Sequence, residues 1–188
     1  MSRYGIPDES FIRDKIPMTK AEIRALTLNK LSIKDNDIIW DIGAGTGSIS
    51  VEAALNTPLG EVWAIERNPE AVKLLRANKE KFNCENLHII KGSAPQILSE
   101  LPRPTKAVIG GSGGNMQEIL NYLWFDTELE VVVINTITLN STNQALELLT
   151  ELAAKIDASQ ICVNKIKLVN GYYMLQSQNP IFIISASR

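Results

Sequence analysis

The chain is expected to fold as an α/β domain: a mostly parallel seven-stranded sheet with an antiparallel final strand and helices on both faces. Three observations predict it. Short β-rich runs alternate with helix-spaced segments from about residue 36 onward, a glycine-rich turn follows the first run, and the last two runs have no helical segment between them. Alternation at this spacing builds βαβ units and a parallel sheet. The chain has 188 residues, 45% of them hydrophobic, which suits a single domain with a sizeable core.

The elements follow in order. Residues 1–15 read as an arm, and residues 1–35 together as an N-terminal arm and helix of one domain spanning 1–188. Thr19 and Glu22 have capping-box spacing, so a helix should begin there and run to about Lys30. The parallel strands are expected at Ile38–Ile42, Val62–Glu66, Leu87–Lys91, Ala107–Gly110 and Val131–Thr136. Helical spacing is found over Ser48–Asn56, Pro69–Phe82, Pro95–Glu100, Met116–Trp124 and Asn143–Ile156. Asn68 before Pro69 is a strong start signal for the second of these. Ile161–Val169 and Ile181–Ser185 read as an antiparallel, hairpin-like end to the sheet.

Composition narrows the function classes. The net charge of -2 gives no basic imbalance toward nucleic acid, so no nucleic-acid partner is expected. The single histidine, His88, cannot form a cluster, which disfavours zinc chemistry and Ser-His-Asp catalysis; no metal is expected. Cys84 and Cys162 lack metal-type spacing and read as reduced thiols. No apolar run is long enough to span a bilayer and the start of the chain has no apolar signal region, so a cytoplasmic protein without a membrane partner is expected.

The chemistry is concentrated in four loops. In Asp41-Ile42-Gly43-Ala44-Gly45-Thr46-Gly47 an apolar strand ends in a carboxylate and turns through three glycines into a helix. Glycines permit positive φ and let a ligand approach the backbone, and free N–H groups of the next helix favour an electron-rich group. The dinucleotide fingerprint needs its third glycine where Ser48 stands; here it comes one residue earlier, at Gly47. That spacing resembles motif I of class I methyltransferases and favours S-adenosyl-L-methionine (SAM) over a nicotinamide cofactor. Glu66 ends the second strand, where a carboxylate can accept from both ribose hydroxyls. Lys91-Gly92-Ser93-Ala94-Pro95 follows the third strand; the resemblance to methyltransferases implies that it flanks the adenine, with Ser93 where that group often has an aspartate. Gly110-Gly111-Ser112-Gly113-Gly114 follows the fourth strand; it leaves room for a large flat substrate and supplies backbone donors. Its glycines carry a large chain-entropy cost, which argues for a purpose.

Taken with Gly5-Ile6-Pro7-Asp8, Pro17-Met18-Thr19-Lys20 and Ala64-Ile65-Glu66-Arg67-Asn68-Pro69-Glu70-Ala71, these loops resemble one family across nearly the whole chain. It is the decarboxylating (cobalt-)precorrin-6B carbon-15 methyltransferase family of cobalamin biosynthesis, in its stand-alone form. The resemblance implies a Rossmann-like class I methyltransferase fold. It further implies a homotetramer that binds SAM and methylates carbon 15 of a reduced tetrapyrrole while removing carbon dioxide from the ring C acetate. Matching positions make Thr19, Gly43, Ala44, Gly45, Thr46, Gly47, Glu66 and Ala94 the expected SAM contacts. Gly111, Ser112, Gly113 and Gly114 are the expected substrate contacts, and no catalytic acid or base is assigned. Arg13, Lys15, Lys20 and Arg24 are candidates to pair with substrate carboxylates, and Gly171-Tyr172-Tyr173-Met174 is a candidate wall of the cleft, core element or subunit interface. The competing readings are a methyltransferase of the same fold acting on RNA or protein, a nicotinamide oxidoreductase, and a non-catalytic SAM-binding module.

Overall fold

The computed structural model describes residues 4–188, so the first three residues of the expected arm lie outside the described region. A 3-10 turn at Asp8–Ser10 precedes α1 (Ala21–Leu31). There follow β1 (Ile38–Ile42), α2 (Ser48–Asn56), β2 (Glu61–Glu66), α3 (Pro69–Lys81), β3 (Leu87–Lys91), β4 (Lys106–Ile109), α4 (Met116–Phe125), β5 (Val131–Thr136) and α5 (Leu139–Glu151). The chain ends with β6 (Lys155–Ile161), β7 (Asn164–Val169), β8 (Tyr172–Ser177) and β9 (Ile181–Ser187).

The main sheet has seven strands in the order β3-β2-β1-β4-β5-β9-β6. The pairs among β1 to β5 are parallel, and β9 lies antiparallel between β5 and β6. Residues alternate between the two faces along each strand. Trp40, Ile42, Ile65, Ile109, Val132 and Ile134 therefore pack toward α4 and α5, through Ile119, Leu123 and Leu149. Ile39, Val62, Ala64, Val108 and Val133 pack toward α1, α2 and α3, through Leu28, Val51 and Leu75. Burying one such Leu or Ile side chain contributes roughly 1.5–3 kcal/mol. That packing outweighs local propensity: α2 has only 9 residues, below the ~12–15 needed for a marginally stable helix alone.

The five parallel strands and four of the helices lie within a residue or two of their expected spans. Four differences have physical causes. First, α1 has Lys20 at its N-cap and no capping bond from its own side chains. The Asp8 carboxylate supplies the cap from the arm, accepting from Ala21 N–H at 3.0 Å. Second, Pro95–Glu100 is not an α-helix; it holds only a 3-10 turn at Leu98–Glu100. Third, α5 starts earlier, because the Thr138 hydroxyl caps it by accepting from Ser141 N–H. It also ends earlier, at Glu151, with a left-handed Ala153 just beyond, and Ile156 belongs to β6. Fourth, the expected Ile161–Val169 strand breaks after Ile161. Its second half, β7, leaves the sheet and pairs with β8 in a separate two-stranded ribbon.

The carboxyl ends of β1 and β4 mark the point where strand order reverses. In open α/β sheets the ligand crevice lies there, and the arm runs over it. Asn78 of α3 accepts from Ile12 N–H at 2.7 Å and donates to Ile12 O at 2.9 Å and to Thr46 O at 2.9 Å. Buried Glu52 of α2 accepts from Gly5 N–H and Ile6 N–H, each at 2.9 Å. Glu52 also pairs with Arg24, which is equally sealed from solvent. Arg24 in turn donates to the backbone carbonyls of Ile6 and Thr19 and covers the Phe11 ring at 4.6 Å.

Candidate cofactor and substrate site

The glycine turn after β1 is tied to its neighbours on both sides. Gly43 N–H and Ala44 N–H donate to Ile65 O of β2 at 2.9 and 3.1 Å. On the other side, Gly110 N–H and Gly111 N–H donate to Ile42 O at 2.9 and 3.3 Å. The loops after β1 and β4 are thereby pressed together. A Cβ on Gly43 would lie 2.7 Å from the Gly111 backbone N and O, a contact that only glycine avoids. Gly47, at φ 78°, caps α2, and a Cβ there would sit 2.0 Å from Leu75 Cδ1. Its requirement is set first by the left-handed backbone of this cap and then by the packing of α2 on α3.

Two cavities open at this edge. The larger, about 800 Å³, is bordered by Pro17–Lys20 of the arm, Asp41, Gly43–Thr46, Glu66, Gly110 and Asn135. Lys165 and residues 176–179 of the ribbon and its exit close the far side. The smaller, about 180 Å³, is bordered by Gly43, Glu66, Arg67, Gly92–Ala94, Gly111–Gly113 and Asn115. Gly43 and Glu66 belong to both, so the two spaces adjoin across the glycine turn and the tip of β2.

Glu66 is 9% exposed. One carboxylate oxygen accepts from Gly45 N–H at 2.8 Å and the other from Asn68 N–H at 2.8 Å. An ionised carboxylate has about four lone-pair sites, so two remain for a ligand. Asp41 is fully buried beside it and accepts from the Ser50 hydroxyl at 2.5 Å. Desolvation first, and the Glu66 charge as well, push the Asp41 carboxyl up to about 6 against the pull of Ser50. The Thr46 hydroxyl is buried with no hydrogen-bond partner, and Thr46 borders the larger cavity. The Ala94 carbonyl accepts from Asn115 Nδ2 at 3.2 Å, which ties the loop after β3 to the start of α4.

The structure groups the expected residues as follows. Thr19, Gly43, Ala44, Gly45, Thr46 and Glu66 all border the larger cavity, and Ala94 borders the smaller one. Gly47 borders neither and lies beneath the turn. Gly111, Ser112 and Gly113 share the smaller cavity with Ala94, Gly110 borders the larger one, and Gly114 borders neither. Arg24 is withdrawn from any ligand by its burial and its pairing with Glu52 and Asp8. Tyr172 and Tyr173 stand exposed on the ribbon, and Gly171–Met174 borders neither of these two cavities and joins no core of this chain. His88 stacks on Trp63 at 4.4 Å, on β3 and β2.

Sequence reasoning passes over Asn135, Ile137, Lys165 and Gln176. Asn135 has a usable signal: a polar residue at the carboxyl end of an otherwise apolar buried strand. The ribbon residues have none, because they reach the cavity through a tertiary excursion that leaves no periodic trace. Among the described residues no group of three or more His, Cys, Asp and Glu could hold a metal, and no helix is long and apolar enough to cross a membrane.

Comparison with known proteins gives the site its context. A family model described as "Precorrin methyltransferase domain" matches residues 9–188. A "Probable cobalt-precorrin-6B C(15)-methyltransferase (decarboxylating)" of Sulfurisphaera tokodaii is 44% identical, over 96% of this chain and 95% of its own. The crystal structure of a precorrin-6y C5,15-methyltransferase from Geobacter metallireducens superposes with a TM-score of 0.94 at 38% identity, covering 99% of this chain and 98% of that one. That of a precorrin 8w decarboxylase from Methanobacterium thermoautotrophicum gives 0.90 at 30%, covering 97% and 100%. The paired glycine turns, the acidic β2 tip and the sheet order are thus set in a fold shared end to end with these proteins, and the chain belongs to the precorrin methyltransferase family.

Proposed function

We propose that this chain transfers a methyl group from SAM to carbon 15 of precorrin-6B or its cobalt form and releases carbon dioxide from the ring C acetate, a step of cobalamin biosynthesis. The observation that carries the reading is the pair of adjoining cavities with Glu66 and Gly43 between them. Glu66 holds the ribose with its remaining lone pairs. The smaller cavity takes the adenine against Ala94, and the larger takes the methionine portion beside Thr19, Gly45 and Thr46.

These residues fit that cofactor. The unpartnered Thr46 hydroxyl supplies a ready hydrogen-bonding group. Asp41 and Glu66 give the floor negative character that suits a sulfonium cation. When bound, SAM supplies an electrophilic methyl group, so the protein needs no metal to activate the donor. This chain's own residues orient the two reactants, and such positioning can contribute roughly 7–11 kcal/mol. The conjugated macrocycle serves as the electron sink for decarboxylation. Ile137 borders the larger cavity and is 68% exposed, which offers apolar surface to the flat face of a macrocycle. Gly111, Ser112, Gly113 and Gly114 stay in the proposal as backbone donors to substrate, although their place in the smaller cavity gives the nucleoside first claim on three of them.

The proposal includes a homotetramer acting in the cytoplasm on a tetrapyrrole, with neither nucleic acid nor membrane as partner. The exposed apolar ribbon supports the assembly. The test is incubation with precorrin-6B, or its cobalt form, and labelled SAM. The expected product gains a methyl group and loses carbon dioxide. Absence of both mass changes defeats the assignment.

A further inference from the structure

We propose that Lys165 of β7 reads a carboxylate of the substrate, and that Glu22 of α1 holds the lysine in place until substrate arrives. The inference rests on the reading of the substrate as an acidic tetrapyrrole. It begins with the distribution of charge in the larger cavity, whose charged lining residues are Lys20, Asp41, Glu66 and Lys165. The two carboxylates are buried at the floor. The two lysines stand at the rim, with side chains 39% and 47% exposed. A floor of one sign beneath a rim of the other suits a cationic methyl donor below an anionic acceptor.

Lys165 is the better placed of the two. Lys20 lies on the arm side, 3.8 Å from Asp8, a carboxylate also engaged with Ala21 N–H and Arg24. Lys165 comes from the ribbon, which also brings Gln176 and Ser177 to the cavity wall. Its ammonium donates to Glu22 Oε1 across the gap between β7 and α1. The hydrogen bond from Lys165 to Glu22, with the further charges of Asp8 and Glu9, keeps the ammonium in its charged form. The second Glu22 oxygen is sealed with no hydrogen-bond partner, so among the described residues Lys165 is the one side chain that bonds this carboxylate. Partly exposed ion pairs of this kind add little to stability. A substrate carboxylate can therefore compete with Glu22 for the ammonium, and Lys165 moves from one acidic group to another without losing its charge partner.

A purely structural pair makes the opposite prediction from a substrate contact. If the pair only fastens the ribbon to α1, losing either member has the same effect. If Lys165 binds substrate and Glu22 competes for it, the two losses act in opposite directions. The test is absorbance titration of uroporphyrin, a polycarboxylate tetrapyrrole, into the full chain saturated with S-adenosylhomocysteine. Lys165→Met should weaken binding about tenfold, a shift of about 1.4 kcal/mol. Lys165→Arg should bind like the parent, and Glu22→Gln should bind more tightly. SAM affinity by calorimetry should be unchanged in all three.

Parent-like binding by Lys165→Met overturns the proposal, as does weakening by Glu22→Gln, or failure of the parent to bind the probe. With precorrin-6B as substrate, KM should follow the same order while kcat holds. A parent that binds uroporphyrin but does not turn over precorrin-6B defeats the activity assignment, and the titration still decides the role of Lys165.

Discussion

Asp41 and Glu66 are adjacent carboxylates with different duties, and each duty can be measured. Asp41 releases its proton near 3.8 when unfolded but at about 6 in the buried site. Between those values the folded state binds more protons, so stability falls as pH rises through the window and then levels off. An asparagine at this position cannot ionise and can still accept from Ser50. Asp41→Asn should therefore be the more stable protein at pH 7.5, by up to about 3 kcal/mol at 1.36 kcal/mol per pH unit. The advantage should vanish below about pH 4, and urea midpoints at the two pH values measure it. Glu66 has a mixed duty, since it also holds Gly45 N–H and Asn68 N–H. Glu66→Gln keeps an acceptor oxygen and should weaken SAM binding about tenfold, from loss of the charge-assisted part of its bonds. Glu66→Ala should lose both SAM affinity and thermal stability. Calorimetric affinity of Glu66→Gln equal to that of the parent removes the residue from the ligand.

At the scale of elements, what was legible divides by whether the cause is local. β1, β3, β5 and α2 lie at their expected bounds, because an apolar run or a glycine turn is written in consecutive residues. The cap of α1 was not legible. Thr19 and Glu22 have the right spacing, but Asp8 does the capping from 13 residues away, and Glu22 turns to Lys165. β8 was missed because all six of its residues are exposed, and a strand exposed on both faces shows no alternation. Of the six expected residues that border the larger cavity, Gly43, Ala44, Gly45 and Thr46 were legible as the loop after β1, Glu66 as the tip of β2, and Thr19 as part of the segment before α1. Their arm-side lid was legible only as Pro17–Lys20, without the Arg24–Glu52 pair that holds it. That pair is testable. Glu52→Ala leaves the buried guanidinium with Asp8 alone as a charge partner and should lower stability by about 3 kcal/mol. Arg24→Met with Glu52→Leu fills the same space with apolar groups and should recover most of that loss. It leaves Gly5 and Ile6 unfastened, so SAM affinity should stay low while the denaturant midpoint recovers. Recovery of both together would show that the arm needs only packing to stay in place.

For the whole molecule, the ribbon of β7 and β8 is the feature that a single chain does not explain. Each of its strands is exposed along all six residues, and Leu168, Tyr173 and Leu175 are 64%, 81% and 70% exposed. A two-stranded ribbon is marginally stable by itself, its unpaired edges invite further strands, and contiguous apolar surface of this kind marks an interface. The homotetramer proposed above places it there, since closed symmetry lets identical ribbons satisfy one another. Light scattering should then give a mass near four times 20.8 kDa for the parent. Leu168→Asp with Tyr173→Asp should reduce the mass toward that of one chain, because burying the new charges is expensive. SAM affinity should survive, for the glycine turn, Glu66 and the arm are all held within one chain. Substrate binding should not, since the loosened ribbon carries Lys165 and Gln176 into the cavity wall. A parent that runs as a monomer overturns the assembly, and a dispersed variant with unaltered KM would show that the ribbon keeps its shape without neighbours.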